Sequence, residues 1–306
     1  MDEPGSEECS RRLTELAGEI AAVYVAELAP RAVLVTGSAA AGLSDRWSDL
    51  DLMVYHVELP DEAAIARARE RAGGGELLVL GPWNGETFGE SFPVRGGVEC
   101  QVGHATVAAT ERRLDQVLVD LDVESPYQKA MEGLQRCVPL HGADLVETWQ
   151  RRLADYPEGL RRAMVERHLR FFPLWMTAER MAVRDATLFR QQMLVDAGLN
   201  LLAVLAGLNR VYFSSFQFKR LHAYADRLAS KPVDLADRVE RLFTEPPAEA
   251  AAALEALVAE TTDLVERELP GLDTSGPRRW LGRRPEPWDL SPSRRGTPAA
   301  PARPAP

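Results

Sequence analysis

The segment TGSAAAGLSDRWSDLDLMVYH, residues 36–56, constrains the fold of this 306-residue chain more than any other. Ahead of it, the apolar run Ala32-Val33-Leu34-Val35 reads as a buried strand that ends at Gly37. Gly37 and Ser38 lead into Ala39, Ala40, Ala41 and Gly42, small residues suited to a tight turn and the start of a short helix. Ten residues separate Ser38 from Asp49, which opens a second strand, Asp49-Leu50-Asp51-Leu52-Met53-Val54-Tyr55. Successive strand side chains point to opposite faces, so Asp49 and Asp51 share one face while Leu50 and Leu52 turn to the core.

The turn and the strand each suggest a chemistry. Orphan backbone N–H groups at a helix start favour a phosphate, and the Ser38 hydroxyl can add a donor. Two carboxylates at spacing two suit Mg²⁺, a hard cation that keeps several waters and takes further ligands from substrate phosphates. Either half alone is ordinary, because Gly-Ser is common in turns and Asp-x-Asp in acidic loops. Their joint placement in a strand, turn, short helix and strand is not ordinary, and it calls for a third carboxylate on a neighbouring strand. The run Gly97-Val98-Glu99-Cys100-Gln101-Val102 alternates again, with Glu99 and Gln101 opposite Val98, Cys100 and Val102. Glu99 is the candidate third member; the bland alternative is a solvated residue on an edge strand.

Gly37-Ser38, the ten-residue gap, Asp49, Asp51 and the later Glu99 together resemble the pattern of the nucleotidyltransferase superfamily. That superfamily includes DNA polymerase beta and the aminoglycoside and lincosamide nucleotidyltransferases. The resemblance covers roughly the first half of the chain. It implies transfer of a nucleoside monophosphate from a nucleoside triphosphate, taken as ATP, to an acceptor hydroxyl, with release of pyrophosphate and Mg²⁺ as cofactor. In that pattern Asp49 and Asp51 bind the metal that carries the triphosphate, and Gly37 and Ser38 bind the nucleotide. Glu99 either completes a second metal site or takes the acceptor proton, and both roles stay open. In-line displacement at phosphorus needs charge neutralised on attacking and leaving oxygens, which a two-metal carboxylate site supplies. The competing reading is a degenerate nucleotidyltransferase fold that serves as a nucleotide- or protein-binding regulator, and between the two stands nucleotidylation of a partner protein.

Charge narrows the acceptor. The net charge is −10, and the segment from Asp273 carries seven Arg against three acidic residues, leaving the first 272 residues at −14. Nucleic-acid binding needs a cationic face to release counterions, so a small molecule ranks first as acceptor, a protein stays open, and nucleic acid falls below both. No stretch approaches eighteen uninterrupted apolar residues and no basic-then-apolar leader opens the chain, so the expectation is a cytoplasmic protein without a membrane span. Cys9, Cys100 and Cys137 are odd in number and widely spaced, which suits neither a disulfide framework nor structural zinc.

Along the chain, apolar periodicity predicts a helix over 7–28, a helix over 61–72, a strand over 76–80, a loop over 81–97, a helix over 106–120 and a strand over 136–142. Beyond 143 only helices are expected: 144–155, 158–183, 186–208, 215–229, 233–243 and 247–268. The fold class is therefore α/β (α+β), with a mixed-sheet domain over 1–142, an all-helical domain over 143–272 and a disordered Pro/Arg-rich tail over 273–306. In the 81–97 loop Trp83, Phe88 and Phe92 either line a substrate pocket or form an apolar lid. Lys219 and Arg220, placed near a helix start against its dipole, either await an anion such as a triphosphate or are surface charge. The Arg162 to His168 spacing, which is similar to that of a helical ribonuclease family, is set aside as chance. His104 is set aside because its odd offset from Glu99 turns it to the opposite face.

Overall fold

Leu13, Ala17, Ile20, Ala21 and Tyr24 fall on one stripe, and the first helix, α1 (Ser6–Leu28), buries them. Ala29 ends it in a left-handed conformation just before Pro30, which cannot continue a helix. The computed structural model describes residues 5–81 and 83–288. In order, α1 is followed by β1 (Ala32–Val35), α2 (Gly37–Ala41), β2 (Leu50–His56), α3 (Glu62–Arg71), β3 (Val79–Leu80), β4 (Thr87–Pro93), β5 (Glu99–Thr106), α4 (Val107–Leu118), α5 (Gln128–Arg136) and β6 (Val138–His141). Helices then run on as α6 (Ala143–Ala154), α7 (Glu158–His168), α8 (Leu174–Ala182), α9 (Thr187–Leu208), α10 (Leu221–Asp226), α11 (Leu235–Arg241), α12 (Pro247–Glu268) and α13 (Ser275–Arg278).

The strands form one mixed sheet of order β3-β4-β5-β2-β1-β6, in which β2 and β5 are parallel and the other pairs antiparallel. Its two faces bury different residues. Val33, Val35, Leu50, Leu52, Val54, Phe92, Cys100 and Val102 pack beneath α1 and α3. Ala32, Leu34, Tyr55 and Ala105 join the helices on the other side, in a core that runs without a break through Trp149 of α6 and Leu201 of α9 to Leu257 of α12. Tyr55 meets Trp149 edge-on, with ring centroids 4.9 Å apart. This is the α/β class expected, a mixed sheet followed by helices. The helix α9 is long and apolar enough to cross a membrane by length and composition, yet most of it is buried among α7, α8 and α12 as a central core helix.

Four departures from the sequence reading have local causes. The expected loop over 81–97 contains β4, where Phe88, Glu90 and Phe92 alternate inward behind a screen of Gly and Pro. The helix α5 has no counterpart in the sequence pattern, because only Met131 and Leu134 mark its apolar face. The expected helix 158–183 is broken into α7 and α8 at Pro173, which has no N–H to give. The expected helix 215–229 shrinks to the six residues of α10, since Gln217 and Arg220 adopt left-handed φ values of 50° and 62°. By contrast, α12 spans the bounds expected for it. Of the expected tail, residues 289–306 lie outside the described residues. Its start is docked: α13 lies on α12 through Arg278 to Glu266, and the Trp175 indole N–H donates to the Trp280 carbonyl at 2.9 Å.

Candidate active site

The register of the parallel pair places Asp51 beside Gln101, and β4 places Ser91 on the other side of Gln101. By strand alternation Glu99 lies on the same sheet face as Gln101, and Asp49, one step before β2, on the same face as Asp51. Hydrogen bonds tie these side chains into one cluster. The Gln101 amide nitrogen donates to Asp49 Oδ2 at 2.8 Å and to Glu99 Oε1 at 3.3 Å. Ser91 Oγ donates to the same Glu99 oxygen at 2.5 Å. Asp49, Asp51 and Glu99 are half-buried, so water and ligands reach them from one side.

Gly37 makes the approach to Asp51 possible. It sits at φ 65°, and a Cβ added there would lie 2.0 Å from Asp51 Oδ2. Glycine is required both for the left-handed backbone and for the close contact. The preceding Thr36 N–H donates to the Asp51 carbonyl at 3.0 Å, locking the turn to β2. The helix that follows, α2, has only five residues, and the Ser38 hydroxyl is 3.1 Å from that of Ser44. On the far side of the turn, α5 comes close because Gly133 faces Thr36 with no side chain of its own: a Cβ there would be 2.9 Å from Thr36 Oγ1.

Electrostatics single out Asp51. Burial pushes its carboxyl up to about 6, and the neighbouring charge of Asp49 adds to this, as does that of Glu99. Lys129 and Lys219 pull the other way, so both ammonium groups lie within electrostatic reach of Asp51. Lys219 comes from the segment between α9 and α10, which bends over this end of the sheet. That segment is braced at several points: the buried Gln128 Oε1 accepts from the Phe213 N–H at 3.4 Å, Lys129 Nζ donates to Gln217 Oε1 at 3.3 Å, and Lys129 lies 5.0 Å from the centroid of the Phe216 ring. Arg220, for which an anion contact and surface charge both stood open, pairs with Asp45 at 3.3 Å.

Sequence reasoning passed over three of these residues. Ser91 was hidden in an unrecognised strand and Lys129 in an unrecognised helix, while Gln101 was placed on the right face and given no role. One signal for Lys129 was on view: the chain holds three lysines against 33 arginines, and two of those three act on Asp51.

Several candidates fall elsewhere. Phe88 and Phe92 are buried on the sheet face opposite Glu99, and Trp83 lies tilted against Phe88 with ring centroids 5.3 Å apart, so the aromatics of 81–97 serve the core more than a pocket. His104 lies on that same far face in a buried polar chain. Its Nδ1 is 3.1 Å from His56 Nε2 and its Nε2 is 3.8 Å from Glu90, which in turn binds Tyr24 at 2.9 Å and Arg69 at 2.5 Å. Burial and the adjacent His104 hold His56 down to about 4. His168 is bonded to Asn200 at 2.9 Å.

The donor set bears on the expected cation. Three carboxylates supply the hard oxygen ligands that Mg²⁺ takes, and their mutual repulsion at Asp51 is what a cation would relieve. Among the described residues, however, no three His, Cys, Asp or Glu side chains converge tightly enough to hold a metal ion by themselves. The donor set fits the ion in kind, with ligands left to come from water and phosphate.

No protein-family model matches the chain, and no curated protein matches it in sequence. Among solved structures it is similar to a nucleotidyltransferase-like protein from Exiguobacterium sibiricum, with 14% identity, a TM-score of 0.28, and coverage of 87% of this chain and 78% of the other. It is also similar to an aminoglycoside 6-adenyltransferase from Bacillus subtilis, with 11% identity, a TM-score of 0.34, and coverage of 90% and 95%. A third likeness is to Cid1 in complex with its short product ApU, with 16% identity, a TM-score of 0.27, and coverage of 90% and 75%. At these identities and TM-scores no residue's role follows from the likeness.

Proposed function

We propose that the chain is a Mg²⁺-dependent nucleotidyltransferase that moves a nucleoside monophosphate, taken as AMP from ATP, to an acceptor hydroxyl. The observation that carries this reading is the gathering of Asp49, Asp51 and Glu99 on one sheet face, next to Gly37 and within electrostatic reach of Lys129 and Lys219. Asp49, Asp51 and Glu99 would hold the cation, which supplies charge neutralisation on the phosphates when bound. Lys129 and Lys219 offer point charges on flexible stems for the triphosphate, a recognised use of lysine. Ser38 is proposed to face the same phosphates once free of Ser44.

The chemical step balances simply. The acceptor oxygen forms a bond to the α-phosphorus as the bond from that phosphorus to the oxygen bridging the α- and β-phosphates breaks, and pyrophosphate leaves with that oxygen and the electron pair. Glu99, held by the Ser91 hydroxyl, is offered either as a cation ligand or as the base that takes the acceptor proton.

A division at 142/143 belongs to the same proposal: the sheet half contributes the carboxylates, the helical half contributes Lys219, and the segment from 273 follows as a tail. A small molecule is the first acceptor to test, because an acidic body repels a polyanion. A protein acceptor comes next. The cytoplasm is the proposed setting, where nucleoside triphosphates are at hand.

The competing reading is the same fold serving only to bind a nucleotide or a protein. A single experiment separates the two. Thermal unfolding is measured with each nucleoside triphosphate, with and without Mg²⁺, on the native chain and on the Asp49→Asn, Asp51→Asn double variant, followed by a pyrophosphate-release screen of acceptors. At about a hundred times the dissociation constant, binding stabilises by roughly 2.7 kcal/mol. A Mg²⁺-dependent shift confined to the native chain, with pyrophosphate release, supports the transferase. A shift with no release under any acceptor supports the regulator, and no shift at all removes the site.

A further inference from the structure

The position directly beside Asp51 on the neighbouring strand belongs to Gln101, and its amide reaches two carboxylates at once. Facing Asp49 Oδ2 at 2.8 Å and Glu99 Oε1 at 3.3 Å, the amide must present nitrogen, since its carbonyl end has no proton to give. A neutral –NH₂ group thus bridges two acidic oxygens, the task a divalent cation would perform there with two full charges. We propose that Gln101 is the built-in competitor of the cation at this site: its amide must release Asp49 and Glu99 before the cation can take them, so Gln101 sets the cation affinity.

This rests on reading Asp49, Asp51 and Glu99 as a cation site. Three features make the exchange workable. Gln101 is exposed, so its side chain can swing into water without leaving a cavity. Ser91 keeps its own bond to Glu99 Oε1 at 2.5 Å, so Glu99 stays oriented when the amide departs. Held by the amide, Asp49 and Glu99 need no cation to remain in place. Gln101 is a positioning residue in this scheme, and it touches no reacting atom.

The test needs neither nucleotide nor acceptor. Mn²⁺ binding to the full chain is followed by loss of the free-ion electron paramagnetic resonance signal, for the native protein and for Gln101→Ala, Gln101→Glu and Asp51→Asn. Removing the competing amide is expected to tighten Mn²⁺ binding about fivefold, the worth of roughly one net hydrogen bond. Gln101→Glu is expected to bind tighter still, because a carboxylate joins the set, and Asp51→Asn is expected to lose binding. If the native chain binds Mn²⁺ through Asp51 but Gln101→Ala binds equally or more weakly, Gln101 is no competitor and the inference is overturned while the cation site stands. If Asp51→Asn binds as the native chain does, or the native chain binds none, the cation reading itself falls and the inference falls with it.

Discussion

Asp51→Asn should stabilise the cation-free protein while removing its ability to respond to triphosphate. Burial, Asp49 and Glu99 hold the Asp51 carboxyl at about 6 in the folded chain against an ordinary 3.8. At 1.36 kcal/mol per pH unit, ionising it at pH 8 costs the folded state at most roughly 3 kcal/mol, and about 1–2 kcal/mol after allowance for solvent at a half-buried rim. Asparagine keeps the shape and drops the charge. Between about pH 4 and pH 6 the folded state binds more protons than the unfolded state, so this contribution of Asp51 to stability declines as pH rises and is fully lost above 6. Below 4 both states carry a neutral Asp51, and the variant's advantage disappears. His56 acts in the opposite direction: its proton affinity is lowered to about 4, so stability is lost as pH falls from 6.5 through 4. It affects both proteins alike and cancels in their difference. Urea unfolding of the two proteins at pH 4 and pH 8 reads that difference directly. With Mg²⁺ and triphosphate at saturation the order should invert, since only the native chain gains binding free energy. Equal stabilities at pH 8, or a gap of the same size at both pH values, would refute the account of Asp51 as a charge held against its surroundings.

Gly37→Ala places a methyl group 2.0 Å from Asp51 Oδ2 on a backbone with φ 65°, so a loss of about 1–2 kcal/mol and the disappearance of any triphosphate-induced shift are expected in thermal unfolding. A variant with native stability and a native shift would show that the turn is not the site. Arg69→Met leaves the fully buried Glu90 without its ion-pair partner and should destabilise by about 3–5 kcal/mol in urea, with partial recovery when Glu90→Leu is added. Losses under 1 kcal/mol would mean that Tyr24 alone satisfies Glu90. Lys129→Ala and Lys219→Ala should each weaken triphosphate affinity about tenfold by calorimetry, more at low salt than at high. Unchanged affinity in either variant would return that lysine to the surface.

The parts of the candidate site that lie close together in sequence are legible in the chain itself. A glycine turn between two strands, with carboxylates at spacing two, depends on local backbone geometry and side-chain alternation, both of which a single stretch of chain encodes. Glu99 was reachable for the same reason, through the period-two pattern around Cys100. Long, clearly periodic helices such as α1 and α12 were also legible, because an apolar stripe and a proline at the boundary are local marks. The short or interrupted elements were not. The alternation of β4 is diluted by glycine and proline, and α5 buries only a small apolar face, so neither announces itself above ordinary loop composition.

That loss mattered at the site, because β4 and α5 carry Ser91 and Lys129. Alternation put Gln101 on the acidic face, but only the pairing of β2 with β5 set it beside Asp51, a register in which neighbours lie fifty residues apart. Lys219 shows the same division between local pattern and packing. As a residue near a helix start it was ambiguous between surface charge and ligand contact, and no pattern along the chain distinguishes the two. Two left-handed residues and the bonds from Gln128 and Lys129 bend its segment over the sheet, and those contacts exist only once α5 is docked. Turn geometry and the face on which a carboxylate stands are short-range properties of the chain. Which charged side chains come within reach of one another depends on packing between segments distant in sequence, and a one-dimensional pattern does not carry it.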